Sequence, residues 1–259
     1  MVTSIENMIS RWHASVYEKK GDAGKCIHML ETLLGFGPRK IFEAGVGTGK
    51  IAHALSKKNH AVTGMDVDRE MLFYAHKRAQ ETGSLCLMNA DILVAPWPRD
   101  FDAVLIAENL MHSLITDWEY KQAQKQLIMK SAASLKKGGL LILDFDCPVS
   151  LANLVKNACD RCVLSGTDES GTSGRMIVRD AEADEKSRLL KSKISYALTT
   201  EKGENIDIVK TVVRHFLTLE ETTSWLYRAG FCIEALYGSY DFHPFDEKNR
   251  RCVIAARKE

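Results

Sequence analysis

The sequence has almost no surplus of charge of either sign. Its 35 lysines and arginines stand against 34 aspartates and glutamates, a formal net charge of +1. A duplex-binding protein presents a basic excess or a basic face, so the general electrostatic argument for a nucleic-acid partner is missing. There is no run of about 18 apolar residues, the length that would suggest a membrane-spanning helix. The opening MVTSIENMISRWHASVYEKK puts polar and charged residues where a signal peptide has its apolar centre. We therefore expect a cytoplasmic protein with neither nucleic acid nor membrane among its partners. The 7 cysteines, an odd number scattered over a long chain, fit reduced thiols better than a disulfide framework. Cys159 and Cys162 form a CxxC with Cys147 upstream, but no second CxxC or CxxH pair completes a tetrahedral zinc site, and no metal is expected. No internal repeat is present.

What is there is a 259-residue chain, 45% hydrophobic and 27% charged, long enough for one large domain with a smaller elaboration. Thr3 and Glu6 have the spacing of a capping box, and Ile5, Met8, Ile9, Trp12 and Val16 recur at helical intervals. A second helix is expected from about Asp22 towards Gly35. Then RKIFEA, HAVTGMD, SLCLMNAD, FDAVLIAENL and GLLILDFD read as strands. Between them lie helical patterns at KIAHALSKK, from Asp68 to Thr82, and from Asp117 to Lys136. Such alternation points to βαβ units and a parallel sheet. After Asp146 the pattern changes. Residues 148–173 read as a helix followed by a mobile loop around SGTDESGTSG. GRMIVRDAEAD, SRLLKSKISYALTT and ENIDIVKTVVRHFLT read as three strands of an antiparallel flap. A helix LEETTSWLYRAG, ended by Gly230, and two strands, FCIEALYGSY and RRCVIAARK, close the chain.

The stretch IFEAGVGTGK, with Gly45, Gly47 and Gly49, is a ligand-binding loop by type. A phosphate-binding P-loop would need glycine where Ala44 stands and a hydroxyl where Ile51 stands. A dinucleotide fingerprint would need its third glycine at Lys50, so NAD remains only as a runner-up. Glu43, directly before the glycines, would repel a pyrophosphate and attract an ammonium or sulfonium. Asp66 ends the second strand about 20 residues on, the distance at which an acid reaches ribose hydroxyls in doubly wound folds. Asp91 follows the third strand, placed to accept from an adenine amino group with Ile92 beside the ring.

These features together resemble the class I S-adenosylmethionine-dependent methyltransferases. EAGVGTGK, VTGMDVDREML, NADI, FDAVLIAENLMHSL and LKKGGLLILDFD are similar to that family's five motifs in order. The resemblance implies an α/β, Rossmann-like, doubly wound and mostly parallel seven-stranded sheet with helices on both faces and its last strand antiparallel. To this it adds N-terminal helices and an antiparallel β flap. Residues 1–259 would form a single domain: a helical lid over 1–36, a cofactor-binding core over 37–147, an inserted helix, loop and flap over the acceptor site in 148–216, and a C-terminal helix with closing strands in 217–259. By matching positions, Glu43, Gly45, Gly47 and Gly49 would face the methionine part of S-adenosylmethionine. Asp66 and Val67 would face its ribose, Asp91 and Ile92 its adenine, and Glu108 would complete the set.

RWHASVYEKKG, ENLMHSL and YGSYDFHPF are similar to segments of glycine, sarcosine and amino-sugar N-methyltransferases. That likeness would place Trp12 and Tyr17 over the cofactor, Tyr17 also at the chemistry, although Trp12 could equally pack its helix against the sheet. Asn109, His112, Arg179 and Tyr240 would face a small-molecule acceptor. Methyl transfer needs no covalent catalyst, because holding a nucleophile in line with the S–CH₃ bond can supply roughly 7–11 kcal/mol. A hydroxyl acceptor needs a base, for which His112 is the candidate, with His215 and His243 behind it. Arg179 could grip a substrate carboxylate or pair with Asp180, Glu182 or Asp184. The product would be S-adenosylhomocysteine, and the protein a monomer or homodimer. The alternatives carried forward are a catalytically inactive binding protein of the same fold, a thiol-using arsenite-type enzyme, and an RNA or protein methyltransferase.

Overall fold

From Lys40 to Asp146 the chain alternates strand and helix, and its residues explain the alternation. The structure, a computed structural model, describes residues 2–20, 23–114, 116–156, 160–246 and 248–259, the side chains of 2–4 aside. The Thr3 half of the expected capping box, the Asp22 helix start and Cys159 of the CxxC fall outside that description. The chain divides into two units, Met1–Gly21 with Ser150–His215, and Asp22–Val149 with Phe216–Glu259.

The larger unit holds β1 (Lys40–Ala44), β2 (Ala61–Asp66), β3 (Leu85–Asn89), β4 (Phe101–Ile106), β5 (Leu135–Asp146), β10 (Phe231–Tyr237) and β11 (Arg251–Lys258). They form one seven-stranded sheet in the order β10-β11-β5-β4-β1-β2-β3. β1 to β5 pair in parallel, and β11 runs antiparallel to both β5 and β10. This is the expected doubly wound sheet with its last strand reversed.

Successive residues of the central strands enter opposite apolar clusters. Phe42, Val104, Ile106, Leu141 and Leu143 lie in one, with Leu127 and Ile128 of α5 (Tyr120–Ser134) and Trp225 and Leu226 of α7 (Leu219–Arg228). Ile41, Leu105 and Ile142 lie in the other, with Met29 and Leu30 of α2 (Gly24–Leu34), Leu55 of α3 (Lys50–Lys57) and Leu72 of α4 (Arg69–Thr82). Parallel strands covered on both faces need such near-continuous apolar runs. The helices start where their caps dictate. The Asp68 side chain accepts from the N–H groups of Glu70 and Met71, and Thr218 and Glu221 close a reciprocal capping box at α7.

The smaller unit contains α1 (Val2–Lys19), α6 (Leu151–Lys156) and four antiparallel strands, β6 (Arg161–Thr167), β7 (Ser173–Asp184), β8 (Leu189–Thr199) and β9 (Asn205–His215), in that order. β6 departs from expectation, since its residues fall within the stretch read as a mobile loop. The turn that makes it a hairpin with β7 is built by Asp168, whose Oδ1 accepts from the N–H groups of Ser170 (2.8 Å) and Thr172 (2.9 Å). Polar turn chemistry, read as looseness, is order here. Trp12 is fully buried among Ile9, Val16, Leu164 and Leu198, and its Nε1 donates to the Gly166 carbonyl at 3.1 Å. A Cβ on Gly174 would come within 3.1 Å of the indole and closer still to Leu198, so the glycine makes room for both. Trp12 is thus a core residue of this unit. The second helix, α2, packs into the larger unit. Among the described residues no helix is long and apolar enough to cross a membrane.

Candidate functional site

At the carboxyl end of β1 the chain turns through Gly45, Gly47 and Gly49, with φ of 70°, 54° and 76°. Only glycine takes this left-handed region without strain. The turn hangs from β2, because the N–H groups of Gly45 (2.8 Å) and Val46 (3.1 Å) donate to the Met65 carbonyl. A Cβ at Gly45 would lie 2.7 Å from Leu110, while one at Gly47 would meet nothing within 4 Å. The first glycine permits close packing, and the second leaves its outer surface open. Gly49 caps α3.

Glu43 is 3% exposed, and its Oε2 has no hydrogen-bond partner among the described residues. Burial pushes its pKa well above the ordinary carboxylate value, and the negative charges of Glu108 and Asp66 push the same way, while a hydrogen bond from the Ala52 backbone opposes them. Asp66 is half-buried and ties the loop together. Its Oδ2 accepts from the Gly47 N–H at 2.8 Å and its Oδ1 from the Asp68 N–H at 2.9 Å. Burial raises its pKa, and these hydrogen bonds pull the other way. Val67 beside it is exposed. Asn89 steadies the same corner, donating to the carbonyls of Asp66 (3.1 Å) and Val67 (3.0 Å). Asp91 is exposed and its Oδ1 accepts from the Leu93 N–H at 2.7 Å. Ile92 is buried in the core, its carbonyl accepting from Trp97 Nε1 and Lys130 Nζ.

After β4 two consecutive non-glycine residues, Glu108 (φ 52°) and Asn109 (φ 68°), take the left-handed conformation, a cost of about 1–3 kcal/mol each. Asp144 and Asp146 on β5 hold them there. Asp144 Oδ2 accepts from the Glu108 N–H at 3.0 Å, the Asp144 carbonyl from the Asn109 N–H at 3.2 Å, and Asn109 Oδ1 from the Asp146 N–H at 2.6 Å. Asp144 also accepts from the Tyr240 hydroxyl (2.7 Å) and Arg251 Nη1 (2.9 Å), and Asp146 pairs with Arg250. Sequence reasoning misses this network. Its signal is two acids at i, i+2 closing one strand and two arginines opening another.

His112 is 5% exposed at the end of a 3-10 turn, Leu110–His112. Its Nε2 lies 2.6 Å from the Asp146 carbonyl and its ring stacks on Phe216 at 4.5 Å. The expected base is therefore buried and packed, with one ring nitrogen against the β5 backbone. Tyr240 is likewise committed to Asp144, and burial together with that carboxylate raises the pKa of its hydroxyl. His243 Nδ1 lies 3.0 Å from the Ser239 hydroxyl, and His215 is buried. Glu43, the glycines, Asp66, Val67, Asp91, Ile92, Glu108, Asn109, His112 and Tyr240 all belong to the larger unit, whereas Tyr17 and Arg179 belong to the smaller. There the Tyr17 ring lies 6.2 Å from His13, and Arg179 Nε lies 3.6 Å from Asp160. Of the partners expected for Arg179, Asp180 pairs with Lys193 at 2.8 Å, and Asp184 caps the turn at Lys186 and Ser187.

Residues 41–139 match a family described as a methyltransferase domain. Over 123 residues the chain is 28% identical to the ubiquinone biosynthesis O-methyltransferase of Photobacterium profundum, a match that covers 43% of this chain and 50% of that protein. The chain spans 59%, 51% and 50% of the length of three curated relatives that it matches. In three dimensions it is similar to an S-adenosylmethionine-dependent methyltransferase from Clostridium acetobutylicum ATCC 824, with a TM-score of 0.71, 15% identity, and 98% and 99% of the two chains covered. It is also similar to an amino pentose methyltransferase from Micromonospora echinaspora, solved with S-adenosylmethionine bound, with a TM-score of 0.62, 16% identity, and 92% and 90% covered. At such identities the likeness is one of fold.

Proposed function

We propose that the chain, whose residues 41–139 match a methyltransferase domain and whose fold is similar to that of an S-adenosylmethionine-dependent methyltransferase, moves a methyl group from S-adenosylmethionine to a nitrogen or oxygen of a small metabolite. The observation that carries this reading is Glu43, a buried carboxylate with an unpartnered oxygen under the negative potential of Glu108 and Asp66. Such a group is costly unless a cation meets it, and the cofactor's ammonium and sulfonium are cations. The open outer surface of Gly47 fits close approach of a ligand, and the hydroxyls of a ribose fit the remaining acceptor capacity of Asp66. Val67, Asp91 and Ile92 are assigned to the ribose and adenine end, and Glu108 to the cationic end.

The bound cofactor supplies an electrophilic methyl group. The chain's task is to orient an acceptor and exclude water. We assign orientation to Asn109, whose Oδ1 is fixed on Asp146 and whose amide NH₂ is left to donate. Tyr17 and Arg179, from the smaller unit, are assigned to the acceptor lid. His112 and Tyr240 are assigned supporting places behind Asn109. An amine on a sugar-sized molecule is the acceptor to screen first, since one similar structure is an amino pentose methyltransferase, with hydroxyl compounds second. The protein is placed in the cytoplasm as a monomer or homodimer, without a nucleic-acid or membrane partner.

The test is a thermal shift with S-adenosylhomocysteine, S-adenosylmethionine, NAD and ATP in parallel. A ligand at 100 times its Kd adds about 2.7 kcal/mol to the native state. Stabilisation by the two S-adenosyl compounds alone is expected, and stabilisation by NAD alone would overturn the reading.

A further inference from the structure

The smaller unit carries a cation that the methyl-transfer reading does not use. Along β8, Leu190, Ser192, Ile194 and Leu198 are buried while Lys191 and Lys193 are exposed, so the even positions form the inner face of the sheet. The antiparallel register sets Leu190 opposite Arg214, Ser192 opposite Val212 and Tyr196 opposite Ile208. Opposed residues share a face, and diagonal neighbours lie within reach of a long side chain. Arg214 therefore projects from the face that holds Ser192 and Tyr196.

The hydrogen-bonding capacity of this cluster is unmet. Ser192 is 1% exposed, and its Oγ has no partner among the described residues. Arg214 is half-buried and, among the described residues, has neither a carboxylate partner nor a hydrogen bond. The other cation on this face of β9, Lys210, is paired with Glu6 at 3.5 Å. Tyr196 stands near enough for the Arg214 charge to act on its hydroxyl, and burial lowers the arginine's pKa. A guanidinium offers five donors in a planar fork that matches carboxylate and phosphoryl oxygens. Leaving it desolvated and unpaired beside an unpaired hydroxyl is unfavourable for folding alone.

We propose that Arg214, Ser192 and Tyr196 form an anion-recognition site on the inner face of the four-stranded sheet that takes a carboxylate or phosphoryl group. This rests on the methyl-transfer reading in one respect, that the anionic group belongs to the acceptor. The guanidinium holds two oxygens side by side, and the two hydroxyls donate to what remains.

The test is calorimetric titration of the full chain with inorganic pyrophosphate and, separately, with malonate, at constant ionic strength set by sodium chloride. Arg214→Met and Ser192→Ala are titrated alongside, and each protein is also titrated with S-adenosylhomocysteine. Saturable binding of one anion by the unaltered chain is expected, and the anion that binds tells phosphoryl from carboxylate. Arg214→Met should weaken it at least about tenfold and Ser192→Ala severalfold, with S-adenosylhomocysteine binding unchanged in both. Arg214→Met should also melt no lower than the parent, because it removes an unpaired half-buried charge. Should that variant fail to fold, Ser192→Ala decides alone. Binding of neither anion, or equal binding by the variants, overturns the proposal. Failure of the unaltered chain to bind S-adenosylhomocysteine would instead overturn the methyl-transfer reading.

Discussion

Ile41 and Phe42, neighbours on β1, are both fully buried in different apolar clusters, whereas Lys191 and Ser192, neighbours on β8, are exposed and buried in turn. A strand covered on both faces has no solvent side, so a charge within it is unfavourable. In the larger sheet the ionisable groups accordingly collect at strand ends: Glu43 on β1, Asp66 on β2, Asp144 and Asp146 on β5. The antiparallel sheet can place them along its length, as with Arg179, Lys193 and Lys210. One sheet gathers charged groups at an edge and the other spreads them across a face.

Substitutions can break or sharpen this contrast. Phe42→Ala, which opens a cavity beside Trp97 and Phe101, should cost about 3–5 kcal/mol in urea unfolding. Asp66→Ala removes two charge-assisted hydrogen bonds, one from Gly47 in the glycine turn and one from Asp68 ahead of α4, each worth about 1.5–3 kcal/mol. Titration should show S-adenosylhomocysteine binding weakened at least about tenfold. His112→Ala should cost about 2 kcal/mol through the lost stack on Phe216 and the stranded Asp146 carbonyl. A fall in turnover at unchanged stability would support a chemical role for that ring.

Glu43→Gln sharpens the contrast through pH. In the folded chain Glu43 keeps its proton above the ordinary carboxylate value. Between that value and the raised one the unfolded chain has released a proton that the folded chain retains, so this contribution to stability is lost as pH rises through the window. Binding a cation favours the ionised form, so affinity for S-adenosylmethionine should rise with pH over the same window and release a proton. Calorimetry in buffers of different ionisation enthalpy should show that proton, and Glu43→Gln should abolish both effects. The smallest change is expected on the open surface, where Val209→Ala should stay within about 0.5 kcal/mol.

The parallel core was legible because its signals are local. IFEA, VTGMD and FDAVLI are apolar runs bounded by turn chemistry, and Glu43, the glycines and Asp66 follow strand ends that can be read directly. β6 was not legible, since RCVLSGT has weak alternation and runs into a Ser- and Gly-rich turn. Nor was the Asp144 network, whose members Glu108, Tyr240 and Arg251 meet only once β11 inserts beside β5. The pairing of Arg179 with Asp160 and the burial of Trp12 likewise depend on strand register, which alternation alone leaves open.

The indole of Trp12 bonds to a carbonyl 154 residues further along the chain. During synthesis at about 5–20 residues per second, α1 would wait roughly 8–30 s for the strand that covers it. Its apolar stripe, Ile9, Trp12 and Val16, is exposed through that interval while β1 to β5 are being made. The smaller unit can complete itself only after His215 has been made, and newly made protein would pass through a stage in which the glycine turn exists and the N-terminal helix has nowhere to dock.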